Sequence, residues 1–206
     1  RNTWNSANAT GKYCMILACV GDMVGLEVFM ADEQQDLEID LARWQNLALD
    51  VLRAEGVKGL TEMTVMFIDA STMTELNAQY MGKSYATDVL SFPLDAVEAT
   101  RSPGPGAMSK TPEPSPLDIS DLPLLLGDVV ICPSVAVEQA PRHAGTVDDE
   151  LALLLVHGIL HVLGNDHDNP EAEAAMHARE RKHLEAFHWG HAAPEQFRHI
   201  QEIDQK

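Results

Sequence analysis

Three histidines hold the chemistry that can be read from this sequence. His157 and His161 lie in the segment His157-Gly-Ile-Leu-His161, and His167 follows six residues later. A spacing of four places both imidazoles on one face of a helix, a turn apart. Gly164 lets the chain reverse, so that His167 can come back toward the other two. Three neutral imidazoles converging in this way form a metal centre with open coordination positions. Zn²⁺ is the default occupant, one ion per chain, because imidazole suits it and it accepts three protein ligands plus water. Such a metal lowers the pKa of water toward about 7 and supplies a nucleophile at neutral pH.

A lone His-x-x-x-His pair is a weak signal, since most such pairs are ordinary polar residues on a helix surface. Here the pair interrupts a run, residues 151–163, that is otherwise almost wholly apolar. Unpartnered imidazoles there would be costly. The spacing HxxxHxxGxxH also matches the ligand pattern of metzincin peptidases, which need Glu directly after the first histidine as general base. This chain has Gly158 at that position, so peptide hydrolysis by that route is disfavoured. Gly158 is expected to permit close helix packing or to clear space over the metal.

The elements that must position these residues follow from periodicity. Thr146 is an N-cap candidate, with Asp148, Asp149 and Glu150 in the first turn where the helix dipole favours anions. The helix it starts ends at Gly164 and is buried, because it is apolar on nearly all sides. A second helix opens at Asn169-Pro170 and reaches about Phe187. Upstream, residues 25–30 alternate like a half-buried strand, and Leu37, Leu41, Trp44, Leu47, Ala48, Val51 and Leu52 recur at helical spacing. Residues 64–68 read as a buried strand, 69–81 as a helix with Ser71 as its N-cap, and 87–92 and 127–132 as further strands. A short helix over 135–139 precedes Pro141.

With 206 residues, 45% of them hydrophobic, the chain can build one core. Residues 1–22 are expected to be a disordered leader or upstream sequence, 23–187 the folded domain, and 188–206 a C-terminal tail low in pattern. Within the domain, residues 101–123 form a Pro- and Gly-rich loop insertion, since proline at that density blocks helix and ladder alike. Three cysteines with no CxxC pair point to reduced thiols and a cytoplasmic location. No apolar stretch approaches the roughly 20 residues a bilayer requires. The 32 Asp and Glu against 14 Lys and Arg give a net charge of -18. That balance excludes partners bound through a broad basic face, such as a DNA backbone or an anionic membrane. It leaves room for a small cationic site.

The segment His157-Gly-Ile-Leu-His-Val-Leu-Gly-Asn-Asp-His167 resembles the HGxLHLxGYDH signature of the YbeY family of endoribonucleases. Thr87-Asp-Val-Leu-Ser-Phe-Pro93 is similar to the family's TDVLSFP block, and Leu126-Gly-Asp-Val-Val-Ile131 to its LGDIxI block. Leu76, Asn77 and Tyr80 match its LNxxY helix end. The resemblance covers roughly residues 24–187, in family order. It implies an α+β, zincin-like fold, a small mixed β-sheet flanked by helices, with the metal-binding helix buried. It also implies a three-histidine zinc site and single-strand-specific endoribonuclease activity in ribosomal RNA processing and ribosome maturation or quality control. The implied partners are ribosomal RNA, pre-ribosomal particles and a ribosome-associated protein.

Two departures bear on chemistry. Many members have Arg after the tyrosine of LNxxY, a candidate for holding phosphate, where this chain has Met81. Lys83 and Arg142 are the nearest replacements in sequence. The signature's Tyr is Asn165 here, a change expected to affect packing more than metal binding. Asp166 is a candidate for orienting a ligand or moving a proton, or equally a turn residue before His167. Asp128 is placed at a strand end, near the site or simply as an edge charge, and Ser91 lacks a base that would make it a nucleophile. His143 is a candidate supporting residue. His177 and His183 read as solvated surface on a charged helix, and His188, His191 and His199 as tail residues that bind metal adventitiously. Trp44 reads as core rather than a base-stacking platform.

Three function classes stay open on these residues: endoribonuclease, metallopeptidase, and a non-catalytic ribosome-assembly factor with structural zinc. Three ligands without a fourth Cys or His nearby leave an open position, which opposes purely structural zinc. An acidic enzyme meeting RNA through a small cationic cleft is expected to bind free RNA weakly and to depend on the ribosome for its substrate.

Overall fold

The computed structural model describes residues 12–13, 25–94, 123–166 and 169–199. The expected leader over 1–22, apart from 12–13, lies outside the described residues. So do residues 101–122 of the expected insertion, and His167.

Five strands form one mixed sheet: β1 (Lys12–Tyr13), β2 (Leu26–Asp32), β3 (Thr61–Phe67), β4 (Val89–Pro93) and β5 (Leu124–Ile131), in the order β1-β2-β3-β5-β4. β2, β3 and β5 run parallel, while β1 and β4 pair antiparallel at the two edges. β3 alternates buried and half-buried positions along its whole length, so one face of the sheet is covered more fully than the other. Gly127 sits opposite Pro93 with φ +142°, where a Cβ would collide with the β4 backbone at Phe92. The glycine of the Leu126-Gly-Asp block is thus fixed by the close approach of the edge strand.

Helices α1 (Leu41–Ala54) and α4 (Val147–Val162) pack on one face of the sheet over the main core, which includes Trp44, Leu52, Val65, Phe67, Val129, Leu154 and Ile159. The Trp44 stripe is therefore core. On the other face, α2 (Ala70–Met81) covers a smaller cluster of Ile68, Met73, Leu90, Val130 and Cys132. A short α3 (Pro133–Gln139) leads into α4, and α5 (Pro170–His183) continues into a π-helical segment, Leu184–Trp189. This is the α+β arrangement expected, with the histidine-bearing helix buried.

The helix ends follow the expected capping, with one correction. Thr146 accepts from Asp149 N and Asn169 from Ala172 N, but Asp69, not Ser71, caps α2. Asp69 has the extended backbone of an N-cap and takes Thr72 N at 2.8 Å, while Ser71 Oγ donates to the Asp69 carboxylate at 2.9 Å. These bonds hold the Asp69 carboxyl below its usual range.

The segment 188–199, expected as a patternless tail, docks on the domain. Trp189 Nε1 (2.6 Å) and His188 Nε2 (2.8 Å) both donate to Asp149 Oδ1, whose other oxygen takes Thr146 Oγ1 at 2.6 Å. Phe197 is buried against Trp189, and Arg198 N donates to His143 O at 2.8 Å. The contacts reach 39 and 40 residues back along the chain, so no local periodicity reveals them.

Burial alone would raise the Asp149 carboxyl; the bonds from Thr146, Trp189 and His188 outweigh it and hold the group below its usual value. A depressed carboxyl stabilises the fold above its unfolded pKa and loses that contribution as pH falls through the folded value. Asp149→Asn is therefore expected to lower the unfolding free energy by about 1–3 kcal/mol at pH 7. The gap from wild type should begin to narrow below about pH 4 and close as pH falls through the depressed folded value. Urea unfolding followed by tryptophan fluorescence at pH 7 and pH 3 measures both.

Candidate metal centre and cleft

Nearly every residue of α4 is buried; His157 and His161 are only half-buried, and they face a cleft. The cleft, about 440 Å³, is also lined by Met81, Asp88, Ser91, Asp166 and His177. The two imidazoles lie edge to face, with centroids 4.5 Å apart and an interplanar angle of 81°. Their Nε2 atoms are 3.1 Å apart. Two nitrogens on one tetrahedral zinc at about 2.0–2.1 Å stand roughly 3.3 Å apart, so this pair fits a shared metal ion with small adjustment. His167, expected as the third ligand, lies outside the described residues.

His157 is oriented from behind. Its Nδ1 donates to Glu180 Oε1 at 2.8 Å, which leaves the Nε2 lone pair for the cleft. Glu180, on α5, is 1% exposed and takes His199 Nδ1 on its second oxygen at 2.9 Å. Burial opposes its ionisation, but the bonds from His157 and His199 outweigh burial and hold the carboxyl at about 2. Burial also pushes the His177 imidazole below its usual value, a shift that Glu180 opposes and His199 reinforces.

α5 is where the sequence reading needs most correction. It reads as a solvated helix, yet Glu180 and His183 are buried. His183 Nε2 meets Glu55 Oε1 at 2.7 Å, and His177 is half-buried against His199. His177, Glu180 and His199 form a group that could hold a metal ion: one ligand atom from each lies within 4.8 Å of the others. The partners are 19 to 128 residues apart in sequence. The one local signal was the three-residue step from His177 to Glu180, too common to single out.

The remaining candidates separate cleanly. Asp166 lines the cleft beside the histidines. Lys83 is exposed just past the end of α2, with its ammonium 5.8 Å from the Tyr85 ring centroid. Arg142 is exposed in the turn before α4, at the opposite end of that helix. The eleven residues from Thr146 to His157 span about 16 Å. Neither cation lines the cleft. Asp128 pairs with Thr64 and Phe92 in mid-sheet and also lies outside the lining. His143 supports the start of α4, not the site, with Nδ1 3.0 Å from buried Glu150. Ser91 Oγ donates to Gly158 O at 3.2 Å. Asp88, which the sequence reading passed over, is 3% exposed and takes Val89 N at 2.8 Å, fixing the strand that forms one wall.

The family model for endoribonuclease YbeY matches residues 29–188. A protein of Frankia casuarinae named endoribonuclease YbeY is 42% identical over 73% of this chain and 69% of its own length. Those of Salinispora tropica (40%, covering 76% and 90%) and Thermobifida fusca (41%, covering 71% and 79%) are similar. This chain belongs to the endoribonuclease YbeY family. A solution structure of a Thermotoga maritima protein is similar at a TM-score of 0.48 and 23% identity, covering 80% of this chain and 90% of that chain.

The YbeY match includes His157, His161 and Glu180 and ends before His199. At the position where the family resemblance implies arginine, Met81 is half exposed in the cleft wall. One cation that sequence reading missed is bonded to the loop beside the site. Arg179 donates to Asn165 Oδ1, on the loop that carries Asp166, and pairs with Glu55 at 3.4 Å. Asn165 itself donates to Leu160 O at 3.0 Å and closes the end of α4.

Gly158 is explained by packing. A Cβ there would stand 2.5 Å from Val129 Cγ1 and 3.2 Å from Ser91 Oγ, so a side chain at 158 is aimed into the sheet. Overpacking of this kind costs about 1–3 kcal/mol. Gly158→Ala is expected to lower the urea midpoint despite alanine's better helix propensity. The loss should be smaller in a Val129→Ala background, which a double-mutant cycle reads directly.

Proposed function

We propose that this chain is a zinc-dependent endoribonuclease that cuts single-stranded RNA during ribosomal RNA processing, with His157, His161 and His167 as the metal ligands. The observation that carries the reading is the His157–His161 pair at the cleft, oriented by buried Glu180, in a member of the YbeY family. A bound zinc ion supplies Lewis acidity toward a phosphodiester oxygen and acidifies water near neutrality.

The chain's own residues divide the remaining work. Glu180 holds the Nδ1 proton of His157 and thereby fixes the tautomer that offers Nε2. Asp166, at the cleft, is placed to move a proton. Met81, Asp88 and Ser91 shape the wall along which a single strand would lie. Among the described residues the cleft lining contains neither Lys nor Arg, and the chain has a net charge of -18. Phosphate therefore meets little fixed positive charge from the protein, and affinity for free RNA is weak. We assign substrate delivery to pre-ribosomal particles and a ribosome-associated partner in the cytoplasm. Among the described residues no helix is long and apolar enough to cross a membrane.

The packing at Gly158 weighs against the peptidase reading. The Cβ of a glutamate introduced there would collide with Val129 and crowd Ser91.

Purified chain and its His157→Ala variant, each incubated with a single-stranded RNA and with an unfolded protein, test the reading. The expected result is metal-dependent RNA cleavage by the wild type, lost by at least 100-fold in the variant, with the protein substrate intact. Proteolysis without RNA cleavage would overturn it. So would full metal occupancy with neither substrate cut, which identifies an assembly factor with structural zinc.

A further inference from the structure

The segment after residue 188 brings a histidine to a place where two metal-ligating groups already stand. His199 reaches Glu180 from the docked segment, which is held independently of any metal. Phe197 is buried, packs edge to face on Trp189 (centroids 5.0 Å) and on His199 itself (4.9 Å), and Arg198 N is bonded to His143 O. The His199 ring stacks on His177, with centroids 4.2 Å apart and planes within 10°. His177 lines the cleft, and Glu180 lies one helical turn after it on α5.

We propose that His177, Glu180 and His199 form a second divalent-metal site, distinct from the His157–His161 centre and linked to it through the Glu180 carboxylate. Two imidazoles and one carboxylate are a donor set that zinc takes with positions left open, and the three ligand atoms lie within 4.8 Å of one another. The two carboxylate oxygens are already divided between the sites. Oε1 faces His157 Nδ1 at 2.8 Å, and Oε2 faces His199 Nδ1 at 2.9 Å. A metal at the second site takes the place of the proton shared by His199 and Oε2 and leaves the bond to His157 formed. The metal also places a positive charge on the carboxylate that orients His157. The two sites therefore oppose each other, and the second fills at higher metal concentration than the first. His199 itself lies beyond the segment matched by the family model, residues 29–188.

Equilibrium dialysis of the full chain against zinc, with metal content measured by atomic absorption, tests the proposal. The wild type should rise from one zinc per chain at low free zinc to two at saturation. His177→Ala and His199→Gln should each stop at one, with melting temperatures that show they fold, and His191→Ala, an exposed control, should still reach two. Cobalt substitution adds a second readout: a further rise in visible absorption between one and two equivalents in the wild type, missing from both variants. A wild type that stops at one zinc overturns the proposal, as do two zinc ions retained in both variants. Failure of the function reading gives a different pattern: the wild type would then take up two zinc ions and cut no RNA.

Discussion

Helix α4 lies so close to the sheet that position 158 has no room for a side chain, and the rest of the site depends on that contact. With Gly158 against Val129 and Ser91, the buried flank of the helix is fixed in rotation. The four-residue repeat then places His157 and His161 together on the flank that opens to the cleft. A helix apolar on nearly all sides gains most by being enclosed, and enclosure here covers every face but one. The place left uncovered holds two imidazoles with their Nε2 atoms 3.1 Å apart. The geometry of the two imidazoles is thus largely a result of helix–sheet packing.

Enclosure alone would leave the imidazoles free to rotate, and α5 removes that freedom. Glu180 is buried, and a buried carboxylate without donors would be costly. Its donors are His157 and His199, and those bonds keep it ionised despite burial. The same bond that satisfies Glu180 sets the tautomer of His157. The docked segment 188–199 supplies the other donor and is fastened at Asp149, in the first turn of α4. The helix carrying the site is therefore gripped at both ends by elements that follow it in the chain.

What the sequence disclosed and what it concealed differ in range. His157, His161 and the glycine between them were legible because a helix repeats every four residues and the glycine interrupts an apolar run. Strands β2 to β5 and the helices were legible to within a few residues from their apolar periodicity and helix-end residues, whereas β1 fell in the segment expected as a leader. Glu180 and His183 were not, because α5 has no apolar stripe to mark its buried face, and His199 was not, because it follows a segment low in pattern. Their partners stand on other elements, as far away as Glu55, 128 residues from His183. Ser71 drew the capping assignment away from Asp69 because both residues can cap, and only the backbone at 69 separates them. The acidity of the chain was plain from composition. Its meaning changed once the cleft lining proved, among the described residues, to contain no Lys or Arg, so that this lining offers an anion no fixed positive charge.

The most direct test is the protonation and ligation state of His157, read by long-range ¹H–¹⁵N NMR of the imidazole nitrogens during zinc titration. The account requires that the first equivalent of zinc shift the Nε2 resonances of His157 and His161 together, while His157 Nδ1 keeps its proton on Glu180. Zinc bound with the His157 resonances unmoved, or bound through His157 Nδ1, would contradict it.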